Sequence, residues 1–201
     1  MVINKIETKE ILPNLIGVVN IPPPVDWKTH CNNLDMRTLY NNDQSIKMRQ
    51  SFDVYLQKHE FFKQLTDQFY EYSNKWLDSL LFRNRIFIST CWLNIFEKGQ
   101  YVDRHHHNNS LLSGVYYFEE CSGIKFTYPE SKSDFRFTEA LQGKHIHKPK
   151  AGDLILYFST TPHESLPCDK ERRYSMAFNC FPTVLGDLYS ANCIDLRKMD
   201  E

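Results

Sequence analysis

Glycine is scarce in this chain of 201 residues, with 7 in all. Set beside 14 Phe, 11 Tyr and 3 Trp, that scarcity argues against low-complexity disorder, because the chain has ample apolar surface to bury. Net charge is nearly absent too: 24 basic and 25 acidic side chains leave a formal −1. No global field then draws the chain to nucleic acid or to an anionic membrane, although a local basic patch would not register in the sum. The six cysteines, at 31, 91, 121, 168, 180 and 193, form no Cys-x-x-Cys pair, so a zinc ribbon or thioredoxin-like motif is not indicated. No run approaches the roughly 18 apolar residues of a membrane span, and no N-terminal secretion signal is visible. The expectation is a cytoplasmic protein whose cysteines are free thiols used as small core residues.

The length suits one domain with its own core. No solenoid repeat is visible. Residues 1–35 read as an irregular entry, with Ile21-Pro22-Pro23-Pro24 favouring an extended stretch. Residues 58–82 carry a helical pattern: Phe61, Phe62, Leu65, Phe69, Tyr72, Trp76, Leu77 and Leu80 recur at steps of three and four. Lys63, Gln64, Asp67, Gln68, Glu71 and Lys75 fill the other side. Such a stripe packs on a sheet or, less commonly, on a partner. From residue 85 the period changes. Strands are expected at 85–96, 111–118, 124–128, 145–147, 154–158 and 173–181, with turns between them. The expected fold class is mainly β, a sandwich or barrel over 86–182, with 1–85 as helical and irregular support and 183–201 as a tail.

The chemistry-bearing residues lie within the β-rich part. In a strand, His105 and His107 would share a face and His106 would oppose them. His163 follows the buried strand 154–158, where a barrel's mouth would be. Two imidazoles from one strand and one from a distant element cover one face of a metal and leave the others open, the arrangement of non-heme iron oxygenases. Arg173 comes ten residues after His163, with Ser175 on the same face. A guanidinium inside a barrel needs an anion. A dicarboxylate supplies one, chelating iron at one end and pairing with Arg173 and Ser175 at the other.

With these residues in order, the chain resembles the 2-oxoglutarate/Fe(II) oxygenases of the marine bacterial and phage type and, more loosely, their prolyl 4-hydroxylase branch. The resemblance covers 86–182 and rests on His105-x-His107, Leu112-Ser113-Gly114-Val115-Tyr116-Tyr117-Phe118, Pro149 with Gly152-Asp153-Leu154-Ile155-Leu156, His163, Arg173-x-Ser175 and Phe178-Asn179. It implies a double-stranded β-helix (jelly roll) core with an N-terminal helical buttress. It also implies Fe(II), 2-oxoglutarate and O₂, with decarboxylation to succinate coupled to oxidation of a second substrate. It places Tyr117 beside the far carboxylate, and it matches Trp92 and Asn94 to a Trp-x-Asn element that brings Asn94 near the metal. A phage-encoded member would work in the host cytoplasm.

The sequence departs from the wider superfamily at His107, where an Asp or Glu is usual. The change leaves the site one unit more positive. Asp103, two residues before His105, is the rival ligand. His145-Ile146-His147 has ligand spacing but no accompanying element, and reads as structural or rim. Glu164 suits either an imidazole partner or a solvated surface. A Ser165–His163–Asp153 hydrolase triad lacks a nucleophile elbow. Two rival functions stay open: a cupin-type three-histidine dioxygenase without 2-oxoglutarate, and a non-catalytic jelly-roll module. The second substrate (protein, nucleotide or small metabolite) is not readable. An oligomer is compatible with the aromatic helix, and no membrane partner is expected.

Overall fold

The computed structural model describes residues 7–11, 14–40, 47–128, 143–185 and 194–196. In chain order, β1 (Glu7–Ile11) and β2 (Asn14–Asn20) precede a short helix α1 (Trp27–Asn32). Strands β3 (Met36–Tyr40) and β4 (Lys47–Ser51) follow, then the long helix α2 (Glu60–Ser79). The remaining strands are β5 (Ile86–Glu97), β6 (Leu112–Tyr117), β7 (Ile124–Tyr128), β8 (Gly143–His147), β9 (Asp153–Phe158), β10 (His163–Ser165), β11 (Arg172–Pro182), β12 (Val184–Leu185) and β13 (Ile194–Asp195).

An eight-stranded sheet runs in the order β1-β2-β9-β6-β11-β5-β4-β3, and a three-stranded sheet in the order β10-β7-β8. Every named ladder is antiparallel. The large sheet is covered on both faces, which explains why β6 and β9 read as continuous apolar runs. Leu154, Leu156, Tyr116, Tyr174, Met176 and Phe178 join the core under α2. Their alternates Ile155, Tyr157, Val115 and Tyr117 join Ile124 and Phe126 of the small sheet. This is the expected double-stranded β-helix with a helical buttress.

Helix α2 buries Phe62, Leu65, Phe69, Tyr72, Trp76 and Leu77, so the aromatic stripe packs on the sheet. Phe69 stacks on Phe178 at 5.2 Å between ring centroids. Two glycines allow the close approach. A Cβ at Gly17 would stand 2.9 Å from Trp76 Cδ1, and one at Gly114 would stand 2.3 Å from Phe178 Cζ.

Residues 1–85, expected as helical and irregular support, also supply four strands of the large sheet. In β2 both faces are covered, so Ile16-Gly17-Val18-Val19 is apolar without alternating. In β3, the edge strand, and in β4 beside it, apolar and polar residues alternate only loosely. Periodicity misses both cases. At the other end, residues 183–201 contribute the small β12–β13 ladder. Cys31, Cys91, Cys121, Cys168 and Cys180 are free and buried, while Cys193 lies outside the described residues. Among the described residues no helix is long and apolar enough to cross a membrane.

Overpacking at the Gly114–Phe178 contact is a direct check on this core. Gly114→Ala should lose about 1–3 kcal/mol in urea unfolding. Combined with Phe178→Leu, the loss should be smaller than the sum of the two single changes, because the new methyl gains room.

Candidate metal centre and co-substrate pocket

The segment carrying His105 and His107 is not the expected strand. It is an extended loop tied to the chain after β9 by main-chain bonds. His105 N donates to His163 O, and His163 N donates to His105 O, both at 2.9 Å. His107 N donates to Ser159 O at 2.8 Å. Backbone pairing with a neighbouring segment, rather than a strand of its own, brings the imidazoles together.

Both outer ligand candidates are oriented by carbonyls two residues back. His105 Nδ1 lies 2.7 Å from Asp103 O, and His163 Nδ1 lies 2.9 Å from Thr161 O. A carbonyl only accepts, so each Nδ1 carries the proton and each Nε2 keeps its lone pair. His163 Nε2 accepts from the Tyr157 hydroxyl at 3.1 Å, so metal binding there exchanges that hydrogen bond for a coordinate bond. One nitrogen from each of His105, His107 and His163 lies within 4.8 Å of the others. A small closure would bring all three onto one ion at about 2.1 Å. His106 is exposed, on the rim. Asp103 does not belong to the cluster, and its carbonyl serves His105 instead.

Burial pushes the His163 imidazole down to about 3, with His105 adding to the effect. Burial likewise takes His107 down to about 4, with His105 and His106 next. Both are neutral near neutral pH, the form that binds a metal.

Strands β5, β6 and β11 build the opposite end. Arg173 pairs across the ladder with Phe96, and its guanidinium lies 4.2 Å from that ring's centroid. Ser175 stands opposite Asn94 on one side and Tyr117 on the other. Arg173 is 2 % exposed, and this decides its chemistry: Nη1 donates to Leu166 O (2.8 Å) and Ser122 Oγ (3.2 Å), but buried Nη2 has no partner. Among the described residues no carboxylate pairs with it. Burial also raises the Tyr117 phenol, keeping it a neutral donor beside Arg173.

All seven expected site residues, namely Asn94, His105, His107, Tyr117, His163, Arg173 and Ser175, line one cavity of about 230 Å³. That is below the roughly 300–1,000 Å³ of drug-sized ligand sites and suits a small co-substrate. Met48 and Gln50 of β4, Phe96 and Tyr157 also line it, and sequence reading missed them. Tyr157 was findable, because it shares a face with Ile155 in a strong strand. Met48 and Gln50 carried no signal. Glu164 turns out to face Lys125 at 2.5 Å across the β10–β7 pair rather than an imidazole. His147 sits 3.6 Å from Asp153, away from the triad.

A histidine triad at one end of a double-stranded β-helix cavity is the kind of open facial site that non-heme iron oxygenases use. Residues 90–179 match the model of the family described as "Putative 2OG-Fe(II) oxygenase", and that stretch holds His105, His107, His163 and Arg173. No curated protein matches the chain. Among solved structures, an oxidoreductase of the 2OG-Fe(II) oxygenase family from Burkholderia pseudomallei is 13% identical, with 81% of this chain and 84% of that one covered and a TM-score of 0.59. A Pseudomonas putida prolyl-4-hydroxylase is 17% identical, with coverage of 82% and 91% and a TM-score of 0.52. The epimerase SnoN, in complex with Fe3+, alpha ketoglutarate and nogalamycin RO, is 10% identical, with coverage of 83% and 79% and a TM-score of 0.61. At these identities the likeness is one of fold.

The ligand set is tested by anaerobic calorimetry with Mn(II). His163→Ala and His107→Ala should each weaken binding by more than about 100-fold, beyond what loss of an outer partner costs. Asp103→Asn should leave binding within a few-fold of the parent. The reverse ranking of His107 and Asp103 would replace the imidazole by the carboxylate.

Proposed function

We propose that this chain is an Fe(II)- and 2-oxoglutarate-dependent dioxygenase that hydroxylates a second substrate. The observation that carries this is the unmatched Nη2 of buried Arg173, in the same small cavity as the triad. Iron(II) bound with 2-oxoglutarate and O₂ supplies the oxidising chemistry, one oxygen atom going to succinate as CO₂ leaves and the other to a C–H bond of the substrate.

The chain's own residues bind, orient and exclude. His105, His107 and His163 offer three imidazole nitrogens to one side of the ion, which leaves the other side to co-substrate and O₂. The carbonyls of Asp103 and Thr161 hold two of those rings in the productive tautomer. Arg173 offers its free donor to the far carboxylate, and Ser175 and the Tyr117 phenol stand beside it to donate as well. Phe96 and Ile124 keep that end of the cavity apolar, which strengthens the pairing.

A three-histidine dioxygenase without 2-oxoglutarate accounts for His107 equally well. It leaves Arg173 without an anion, and a buried unpaired charge is destabilising.

Anaerobic addition of Fe(II) and then 2-oxoglutarate separates the two readings through the weak visible charge-transfer band of a chelated 2-oxoacid. The band should form with the parent protein and be absent in His163→Ala. Arg173→Ala should lose about 2–5 kcal/mol of 2-oxoglutarate affinity. Iron bound tightly with no band at any 2-oxoglutarate concentration would favour the three-histidine dioxygenase.

A further inference from the structure

Charge in the cavity is one-sided. Among the described residues lining it, none is Asp or Glu. The triad is three imidazoles with no carboxylate among them, so none of its members offsets the ion's charge. A second guanidinium stands at the β3–β4 edge. Arg37 is directly opposite Gln50 in the β3–β4 ladder, so the two share a face. Gln50 is opposite Asn94, Asn94 is opposite Ser175, and Ser175 is opposite Tyr117. One row across five neighbouring strands thus runs from Arg37 to the co-substrate pocket. Three strand spacings put β3 roughly 14 Å from Ser175 on β11, too far for Arg37 to share the ligand of Arg173.

The surroundings of Arg37 orient it without neutralising it. Its Nη2 donates to Gln50 Oε1 at 2.5 Å, and Gln50 in turn offers its amide to Asn94 Oδ1 at 3.5 Å. Gln50 is buried and lines the cavity. Arg37 is half-buried, its Nε is shielded from solvent without a partner, and among the described residues no carboxylate pairs with it. A structural ion pair would place Asp or Glu at position 50, and here a neutral amide stands there. A fixed guanidinium beside a positive cavity recognises planar or tetrahedral oxyanions through its fork of donors.

We propose that the second substrate carries an anionic group, a carboxylate or a phosphate, and that Arg37, held by Gln50, receives it. This rests on the oxygenase reading above and adds the class of substrate to it.

The test uses protein with isotope-labelled arginine, loaded with Zn(II) as a diamagnetic substitute and saturated with 2-oxoglutarate. The Nε–H resonance of Arg37 is assigned by its absence in Arg37→Gln, and that of Arg173 by its absence in Arg173→Gln. Acetate and inorganic phosphate are then titrated separately, with chloride at matched ionic strength as the control. One of the two anions should move the Arg37 resonance saturably while chloride does not, and the anion that does so tells carboxylate from phosphate. By calorimetry, Arg37→Gln should weaken that anion's binding roughly tenfold or more while leaving 2-oxoglutarate affinity unchanged. An Arg37 resonance unmoved by both anions, or moved equally by chloride, would overturn the proposal. Failure of 2-oxoglutarate to move the Arg173 resonance would instead sink the oxygenase reading, and the Arg37 titration is read independently of it.

Discussion

Successive side chains of a strand leave on opposite faces, and in β11 that alternation separates the core from the chemistry. Tyr174, Met176 and Phe178 enter the apolar core beneath α2. Arg173, Ser175 and Ala177 line the cavity. A slip of one residue would exchange the two sets, placing a guanidinium under the helix and aromatic rings in the cavity. Two long ladders, to β5 and β6, forbid the slip. The helix-side contacts fix the register further: Phe178 lies over Gly114 and stacks on Phe69, so any shift would break a close contact. The apolar packing of one face therefore sets the positions of the polar groups on the other.

The metal corner obeys a different constraint. His105 and His107 belong to a loop, and a loop by itself does not hold two imidazoles in fixed relation. Main-chain bonds to His163 and Ser159 supply what a ladder would have supplied. Their donors and acceptors are backbone atoms, so the ligand positions do not depend on which side chains flank them. Each outer imidazole is also locked by a carbonyl of its own segment. The site thus combines a sheet wall carrying Arg173 with a backbone-braced loop that sets His105 and His107 beside His163.

This division explains what was legible in the sequence. His163, Arg173 and Ser175 were readable because they sit on or beside strongly patterned strands, and the chemistry of a buried guanidinium demands an anion. Helix α2 and strands β5, β6, β7, β8, β9 and β11 were readable for the same reason, since local periodicity reports a buried face; the short β10, β12 and β13 were not. The shared placement of His105 and His107 was expected on the wrong grounds, because three backbone bonds, two with His163 and one to Ser159, do the work assigned to a strand. Strand β4, with Met48 and Gln50, was invisible. It is short, its polar residues do not alternate cleanly, and it gains meaning only by pairing with β5, more than 40 positions away by the Gln50–Asn94 separation. Arg37 was invisible for the same reason. Its role depends on a ladder partner, and no spacing in the chain encodes that.

Among the described residues no acidic side chain lines the cavity, and this bears on how the site fills. A carboxylate ligand would attract a dication before any co-substrate arrived. Imidazole ligands offer lone pairs but no negative charge, and Arg173 in the same cavity opposes a cation. A dianion bridging the two ends satisfies both, pairing with Arg173 and offsetting the ion's charge. Its binding and the ion's are then mutually favourable, and by linkage each raises the other's affinity by the same factor. With both in place a surplus of positive charge persists, because no protein carboxylate has contributed. The low-dielectric interior magnifies that surplus. A cavity built this way would discriminate against cationic groups without a steric barrier, and Arg37 stands one strand beyond Gln50 of its wall.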